Sequence, residues 1–220
     1  MPPQKGHDTP PPPNWPEGVI YLIKPRLSPL FPPKLIPLLS PNSKTFNPKA
    51  IKHPSSVQIK RIETEGHPAK GQNGLFAKSK IKGGEMIIPY LGVLHSTLIP
   101  DDLDENEIEI LRQKDPHSSS DYDLSLLRIS SSDIRNPFPG KHVSIGIDAA
   151  KMGNAARFVN DYRGLPIQNG NTGPNAEFRM GQGEDGGLRM EIWSLKGGVG
   201  KGEEIRVSYG KGWWGARRGC

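Results

Sequence analysis

The chain has one cysteine among its 220 residues, and that cysteine, Cys220, is the last residue. An internal disulfide and a cysteine-built zinc site are therefore both excluded, which is consistent with a reducing, intracellular location. No window approaches 18 consecutive apolar residues, so the sequence predicts no membrane span. The first 13 residues, MPPQKGHDTPPPP, also lack an apolar segment, so we expect no secretory signal there.

Four further kinds of site have no signal in the sequence. The formal net charge is +6, but the basic residues are scattered and form no dense run with interleaved aromatic residues. We therefore expect no direct sequence-specific binding to nucleic acid. The six histidines show no paired metal-ligand spacing, so we assign no metal. Neither a G-x-S-x-G nucleophile elbow nor a phosphate-binding P-loop occurs.

Proline is abundant in residues 1–56, which we interpret as an N-terminal arm that is partly extended or disordered. Proline fixes φ and has no N–H donor, so neither a helix nor a central strand is expected in this arm. Trp15 and the apolar run 19–23 are unusual for a disordered tail. We expect residues 15–40 to wrap onto the surface of the domain, and a docking strip for a partner protein is the alternative.

Residues 57–214 read as one domain, followed by a short tail at 215–220. Short alternating segments, such as Val143, Ile145 and Ile147, predict many short strands separated by glycine turns. One segment, Asp101–Lys114, has helical spacing instead, with acidic residues on the face opposite the apolar one. That acidic face is either simply solvated or a wall for a basic peptide. The pattern predicts a mainly β domain with one or two short helices.

Four blocks of sequence carry the functional signal. Gly153–Tyr162 reads GNAARFVNDY, Pro174-Asn175-Ala176 follows it, and a late segment reads GEEIRVSYG from Gly202. A fourth block, upstream, comprises the turn and strand GQNGLFA at 71–77 and the run YLGV at 90–93. Any one block is ambiguous, because an asparagine in an apolar segment can bond backbone or ligand, and a strand tyrosine usually packs in the core.

Together, and in this order, the blocks resemble a SET-domain protein lysine methyltransferase, and the overall run looks like small single-domain SET proteins of fungal type. The resemblance implies a β-clip-like fold of several small sheets with a pseudo-knot. It also implies S-adenosyl-L-methionine as the cofactor and a protein lysine as the substrate. A histone tail or another basic protein would then be methylated, in the nucleus or alternatively in the cytoplasm.

The resemblance also implies roles for individual residues. Tyr209 would be the catalytic phenol, and Tyr90 a second catalytic tyrosine that orients the lysine in a channel shared with Phe178. The cofactor-binding residues would be Gly71, Gln72, Asn73, Gly74, Phe76, Asn160, Asp161, Tyr209 and Trp214. Of these, Trp214 would supply a lid.

Two departures from the family pattern favour a second hypothesis. Asp161 stands where the family has a histidine, and the chain lacks the cysteine-rich segment that closes the lysine channel in many members. Both features are compatible with a catalytically inactive SET module that binds a peptide or acts as a scaffold. Retention of both Tyr90 and Tyr209 argues for the enzyme.

Overall fold

The computed structural model describes residues 6–41, 45–164 and 173–210, and within these ranges the fold is mainly β. The described strands are β1 Ile20–Tyr21, β2 Arg26–Leu27, β3 Val57–Arg61, β4 Asn73–Ala77, β5 Met86–Pro89, β6 Val93–Pro100, β7 Asp123–Ile129, β8 Lys141–Asp148, β9 Met152–Gly153, β10 Asn160–Asp161, β11 Ala176–Gln182, β12 Leu188–Ser194 and β13 Arg206–Val207. The described helices are α1 Ile36–Leu39 and α2 Glu105–Lys114, with 3₁₀ turns at Pro33–Leu35 and Ala155–Phe158. No described helix is both long and apolar enough to cross a membrane.

The strands form several small sheets, as the sequence predicted. The largest has the order β2-β6-β8-β7, and a three-stranded sheet has the order β11-β12-β5. In β8 the alternating residues Val143, Ile145 and Ile147 are all buried, which explains the period of two in the sequence. β5 ends at Pro89 on the edge of its sheet, where a missing N–H donor is tolerated.

The late segment of the chain threads between strands that lie far apart in sequence. β13 pairs in parallel with β10, while Ile205 N–H donates to the carbonyl of Leu75 in β4 at 2.8 Å. Asn175 N–H donates to Arg206 O at 3.0 Å from the other side. This threading is the expected pseudo-knot, and it brings all four sequence blocks to one region.

The described part of the proline-rich stretch packs on the domain. β1 pairs with β9 and β2 pairs with β6, and Leu22, Leu35 and Leu39 are fully buried. The prediction that no helix forms among the prolines was wrong, because a 3₁₀ turn and the single turn of α1 lie there. Prolines are found in the first turns of the 3₁₀ segment and α1, where their missing N–H has no intrahelical partner to lose.

The predicted acidic helix is confirmed, but it begins at Glu105 rather than Asp101. The side chain of Asp104 accepts a hydrogen bond from Glu107 N–H, and the Glu107 side chain accepts from Asp104 N–H. This capping box fixes the first turn and excludes the residues before it from the helix. Lys114 in the last turn is a favourable charge for that end.

Candidate functional site

Tyr209 lies two residues beyond the end of β13, against the segment that contains β10. Its backbone N–H donates to Asp161 Oδ2 at 2.6 Å, and its hydroxyl donates to the carbonyl of Val159 at 2.7 Å. The last predicted strand, 205–209, is thus shorter than expected, and a side chain, not a strand partner, takes the N–H of Tyr209. Burial, with the nearby charge of Asp161, raises the pKa of the Tyr209 phenol far above its ordinary value.

Tyr90 follows β5 directly and is buried, with 3% of its surface exposed. Its hydroxyl donates to the carbonyl of Tyr122 at 2.8 Å, and its ring meets that of Phe178 edge to face with centroids 6.1 Å apart. Burial also raises the pKa of Tyr90 well above the ordinary value, and the neighbouring Tyr209 adds to the shift. Both phenols are therefore neutral at physiological pH.

One cavity of about 350 Å³ brings these side chains together. Tyr90, Phe178 and Tyr209, the three residues expected at a lysine channel, all line it. Its remaining wall includes Tyr122 and Arg157, neither of which the sequence analysis singled out. The lining is mixed: four aromatic rings, including those of Tyr90, Phe178 and Tyr209, lie beside the charged side chains of Asp121, Asp123, Arg128 and Arg157.

Arg157 is a buried residue that the sequence analysis passed over within the block GNAARFVNDY. Its guanidinium lies 4.1 Å from the centroid of the Tyr122 ring, and its Nε donates to the carbonyl of Ala149 at 2.9 Å. A second guanidinium nitrogen donates to Ala150 O at 3.3 Å. Arg157 thus fixes the position of Tyr122, whose carbonyl in turn holds Tyr90. The signal available in the sequence was a charged residue between the apolar residues Ala156 and Phe158.

Asp161 departs from the family pattern, and its surroundings compensate its charge. The carboxylate is buried, accepts the Tyr209 N–H, and pairs with the Arg163 guanidinium at 3.0 Å. It also accepts the Arg163 N–H at 2.8 Å. These donors satisfy both oxygens of the buried carboxylate. The side chain of Asp161 therefore anchors the backbone of Tyr209 beside the cavity.

Asn160 belongs to a second cluster, which is centred on Glu204. The Asn160 amide Nδ2 donates to Glu204 Oε1 at 2.7 Å, and His67 Nε2 lies 3.0 Å from Glu204 Oε2. Val159 lines the cavity and directly precedes Asn160, so this cluster lies next to the cavity. The sequence analysis had quoted Glu204 in the block GEEIRVSYG without giving it a role, and His67 carried no signal there.

The predicted cofactor turn is divided between a turn and a strand. Gly71 and Gln72 form the turn, where Gly71 has φ of +82°, a conformation that favours glycine. Asn73 and Gly74 lie instead in β4, so the prediction of a turn through 71–74 was wrong for these two residues. The Asn73 side chain donates to Asn14 O in the N-terminal stretch at 3.2 Å.

Gly74 faces Glu204 and the Phe76 ring closely. A Cβ atom at Gly74 would lie 2.9 Å from Phe76 Cε2, 3.0 Å from Glu204 Oε1 and 3.1 Å from Ile62 Cδ1. A side chain at position 74 would therefore push against the Phe76 ring and the Glu204 carboxylate that holds Asn160. Of the predicted cofactor residues, the structure brings Gly74, Phe76 and Asn160 around Glu204, whereas the side chain of Asn73 bonds elsewhere. Trp214 lies outside the described residues.

The described residues also contain a histidine cluster that sequence spacing did not reveal. The rings of His95 and His117 stack 3.8 Å apart with 18° between their planes, and each bonds a carboxylate, His95 that of Asp123 and His117 that of Asp148. Atoms of His95, Asp115 and His117 lie within 4.8 Å of one another, as metal ligands would. The lone pairs of stacked imidazoles lie in nearly parallel planes, however, and do not converge on one ion. In this arrangement the cluster ties the loop before β7 to β6 and β8.

Comparison with known proteins gives one family and several solved structures. The family model for the SET domain matches residues 72–210. The polycomb repressive complex 2 of Chaetomium thermophilum is 26% identical over 70% of this chain and 15% of that chain, with a TM-score of 0.42. The ctPRC2 complex in an autoinhibited conformation bound to S-adenosylmethionine is 23% identical with the same coverage and TM-score. This chain spans only 15% of the length of those chains. No curated protein matches it.

Proposed function

The chain belongs to the SET-domain family, and we propose that it is a protein lysine N-methyltransferase that uses S-adenosylmethionine. The observation that carries the proposal is the cavity shared by Tyr90, Phe178 and Tyr209. Its aromatic walls suit the aliphatic stem of a lysine, and its phenol oxygens suit the amine at the end of that stem. When bound, S-adenosylmethionine supplies a methyl group carried on a positively charged sulfur.

The hydrogen bonds of the two phenols determine what they offer to an amine. Tyr90 donates its only hydroxyl proton to Tyr122 O, and Tyr209 donates its own to Val159 O. A phenol oxygen that donates its proton keeps its lone pairs, so each oxygen is also an acceptor suited to an amine. A neutral lysine amine donates N–H to such an oxygen and keeps its own lone pair for the methyl group. Positioning of this kind is the main contribution that a protein can make to methyl transfer.

The residues around Glu204 fit the amino-acid end of S-adenosylmethionine. Asn160 uses its Nδ2 on Glu204, so its Oδ1 is an acceptor suited to an ammonium group. Arg206, paired in register with Asn160, has a buried Nε without a hydrogen-bond partner among the described residues. A bound carboxylate would satisfy that donor. We therefore assign the ammonium to Asn160 and the carboxylate to Arg206.

A basic protein is the substrate class that the charges favour. Acidic residues at the start of α2 and in the segment before it are exposed, and Asp121 and Asp123 line the cavity. Complementary charge speeds the encounter with a basic segment and selects its orientation. On this proposal the chain methylates a histone tail or another basic protein, in the nucleus or alternatively in the cytoplasm. The compensated charge of Asp161 weakens the case for an inactive module.

The test is methyl transfer from radiolabelled S-adenosylmethionine to purified histones and to a cell lysate, with calorimetry to measure cofactor binding. We expect binding and label incorporation into protein, with mass spectrometry locating the methyl groups on lysine. Asp133→Asn serves as a control, because Asp133 lies on an exposed loop and pairs with Arg135. Cofactor binding without any label in protein would favour the scaffold, and absence of binding would overturn the enzyme.

A further inference from the structure

A hydrogen-bond chain, mostly buried, runs from His67 through Glu204 to Asn160. The side chains of His67 and Glu204 are only 5% and 11% exposed, although 137 residues separate them in sequence. Both carboxylate oxygens of Glu204 are used, Oε2 by His67 and Oε1 by Asn160. Groups so enclosed have few alternative partners, so each hydrogen bond in the chain has one preferred donor and one preferred acceptor.

The partners at each step determine where the protons lie. Ala69 N–H donates to His67 Nδ1 at 3.0 Å, so this nitrogen carries no proton in the neutral ring. The proton is therefore on Nε2, which donates to Glu204. A carboxylate only accepts hydrogen bonds, so the amide of Asn160 must present Nδ2 to it and not Oδ1. The orientation of the Asn160 amide follows from this chemistry.

We propose that His67 and Glu204 are positioning residues that hold the Asn160 amide with Oδ1 toward the ammonium group of S-adenosylmethionine, an inference that rests on the function proposed above. Glu204 holds the amide directly, and His67 holds Glu204. Gly74 leaves the space for Glu204, because a Cβ at that position would come within 3.0 Å of Oε1. The histidine thus contributes to cofactor affinity without touching the cofactor.

The decisive variant is Glu204→Gln, which keeps the shape of the side chain and replaces one acceptor with a donor. His67 still donates to the glutamine oxygen, since its Nδ1 is held by Ala69 N–H. The new amide nitrogen then faces Asn160, which must rotate its amide and present its own NH₂ to the cofactor ammonium. We expect the affinity for S-adenosylmethionine, measured by calorimetry, to fall about tenfold or more.

A double variant tests which of the side chains at positions 204 and 160 donates the hydrogen bond and which accepts it. In Glu204→Gln with Asn160→Asp, the new carboxylate accepts from the glutamine and offers its second oxygen to the ammonium. We expect it to regain most of the lost affinity, whereas Asn160→Asp alone sets two carboxylates against each other and binds weakly. Glu203→Gln is the matched control, because it removes the same charge from the adjacent, exposed position and should bind like wild type.

The contribution of His67 is tested with a pair of variants of different donor capacity. His67→Gln keeps an N–H near the position of Nε2, and His67→Leu has none. We expect the glutamine variant to bind S-adenosylmethionine within about threefold of wild type and the leucine variant about tenfold more weakly. Equal affinity of these two variants would show that only the volume of the side chain matters, and would overturn the role of His67.

The tautomer of His67 in the cofactor-free protein provides an independent readout by ¹⁵N NMR. We expect a proton on Nε2, and a proton on Nδ1 would overturn the proposal. The proposed positioning of Asn160 by His67 and Glu204 is wrong if Glu204→Gln binds S-adenosylmethionine as tightly as a wild type that binds it. It is also wrong if the double variant binds no more tightly than Glu204→Gln. If wild type does not bind while the tautomer is as expected, the proposed function has failed, and the inference fails with it.

Discussion

Replacing Tyr209 with phenylalanine removes one oxygen atom and leaves the ring in the cavity wall. The hydroxyl donates a hydrogen bond to Val159 O at 2.7 Å, and on the proposed mechanism its oxygen accepts one from the lysine amine. We expect Tyr209→Phe to lose most of its turnover and to keep its affinity for S-adenosylmethionine. Affinity should be kept because the Asn160–Glu204 bond is not touched.

The expected sizes follow from these two bonds. The carbonyl of Val159 loses its donor, which costs about 1 kcal/mol of unfolding free energy if water enters the cavity. For a domain of this size, the melting temperature should fall by about 2–4 °C. Removal of one preorganised polar contact to a reacting group typically lowers the turnover number by about 10²–10³. The loss of turnover should therefore far exceed what a small loss of stability explains.

The assay measures initial rates of methyl transfer at saturating cofactor, together with calorimetry and thermal unfolding. Tyr90→Phe is the matched comparison, since Tyr90 makes the same kind of bond, to Tyr122 O at 2.8 Å. We expect it to lose similar or greater stability, because Tyr90 is more deeply buried. Its kinetic effect should fall mainly on the KM for the protein substrate. If Tyr209→Phe turned over at the wild-type rate, the hydroxyl would have no part in catalysis.

Three further predictions concern pH, the asparagine and the glycine. Burial raises the pKa values of both Tyr90 and Tyr209, so neither phenol should ionise below about pH 10. The turnover number should therefore rise with pH as the lysine amine deprotonates, with no fall up to that pH. A fall of the turnover number below about pH 10 would contradict the raised pKa values. By the same shifts, the free energy of unfolding should decrease above about pH 10, where tyrosines ionise in the unfolded chain but not in the folded one, as denaturant titrations would measure. Asn160→Ala should lose both cofactor binding and turnover in the two assays, and the retention of either would remove Asn160 from the cofactor site. Gly74→Ala should cost about 1–3 kcal/mol of stability through crowding of Phe76 and Glu204, with weaker cofactor binding, and a variant as stable as wild type would contradict the close packing.

Much of the site could be predicted because its residues belong to recognisable blocks. Tyr90, Phe178 and Tyr209 were expected at one channel, and they do line one cavity. Asn160 and Gly74 were expected at the cofactor, and they meet at Glu204. Their roles remain proposals. What the sequence could not show was that Glu204, although it lies within one of these blocks, is the side chain that joins them, because a charged residue near a strand end is usually just solvated.

Local structure was predicted well where neighbours in sequence are also neighbours in space. The buried positions of β8 follow from alternation, and α2 follows from helical spacing. The start of α2 was missed because the capping box of Asp104 and Glu107 overrides the acidic residues before it. In the N-terminal stretch, proline content predicted an extended chain, but tertiary burial of Leu35 and Leu39 supports a turn of helix.

The sequence by itself determined the mainly β character, the acidic helix and the order of the family blocks, since periodicity and short motifs act over a few residues. Only the tertiary structure decided that Glu204 meets both His67 and Asn160, that Asp161 holds the backbone of Tyr209, and that His95 stacks on His117. These contacts join residues that are 22 to 137 positions apart. No local pattern encodes such pairs, because they form only when separate strands pack and exclude water, leaving each buried polar group to find a partner.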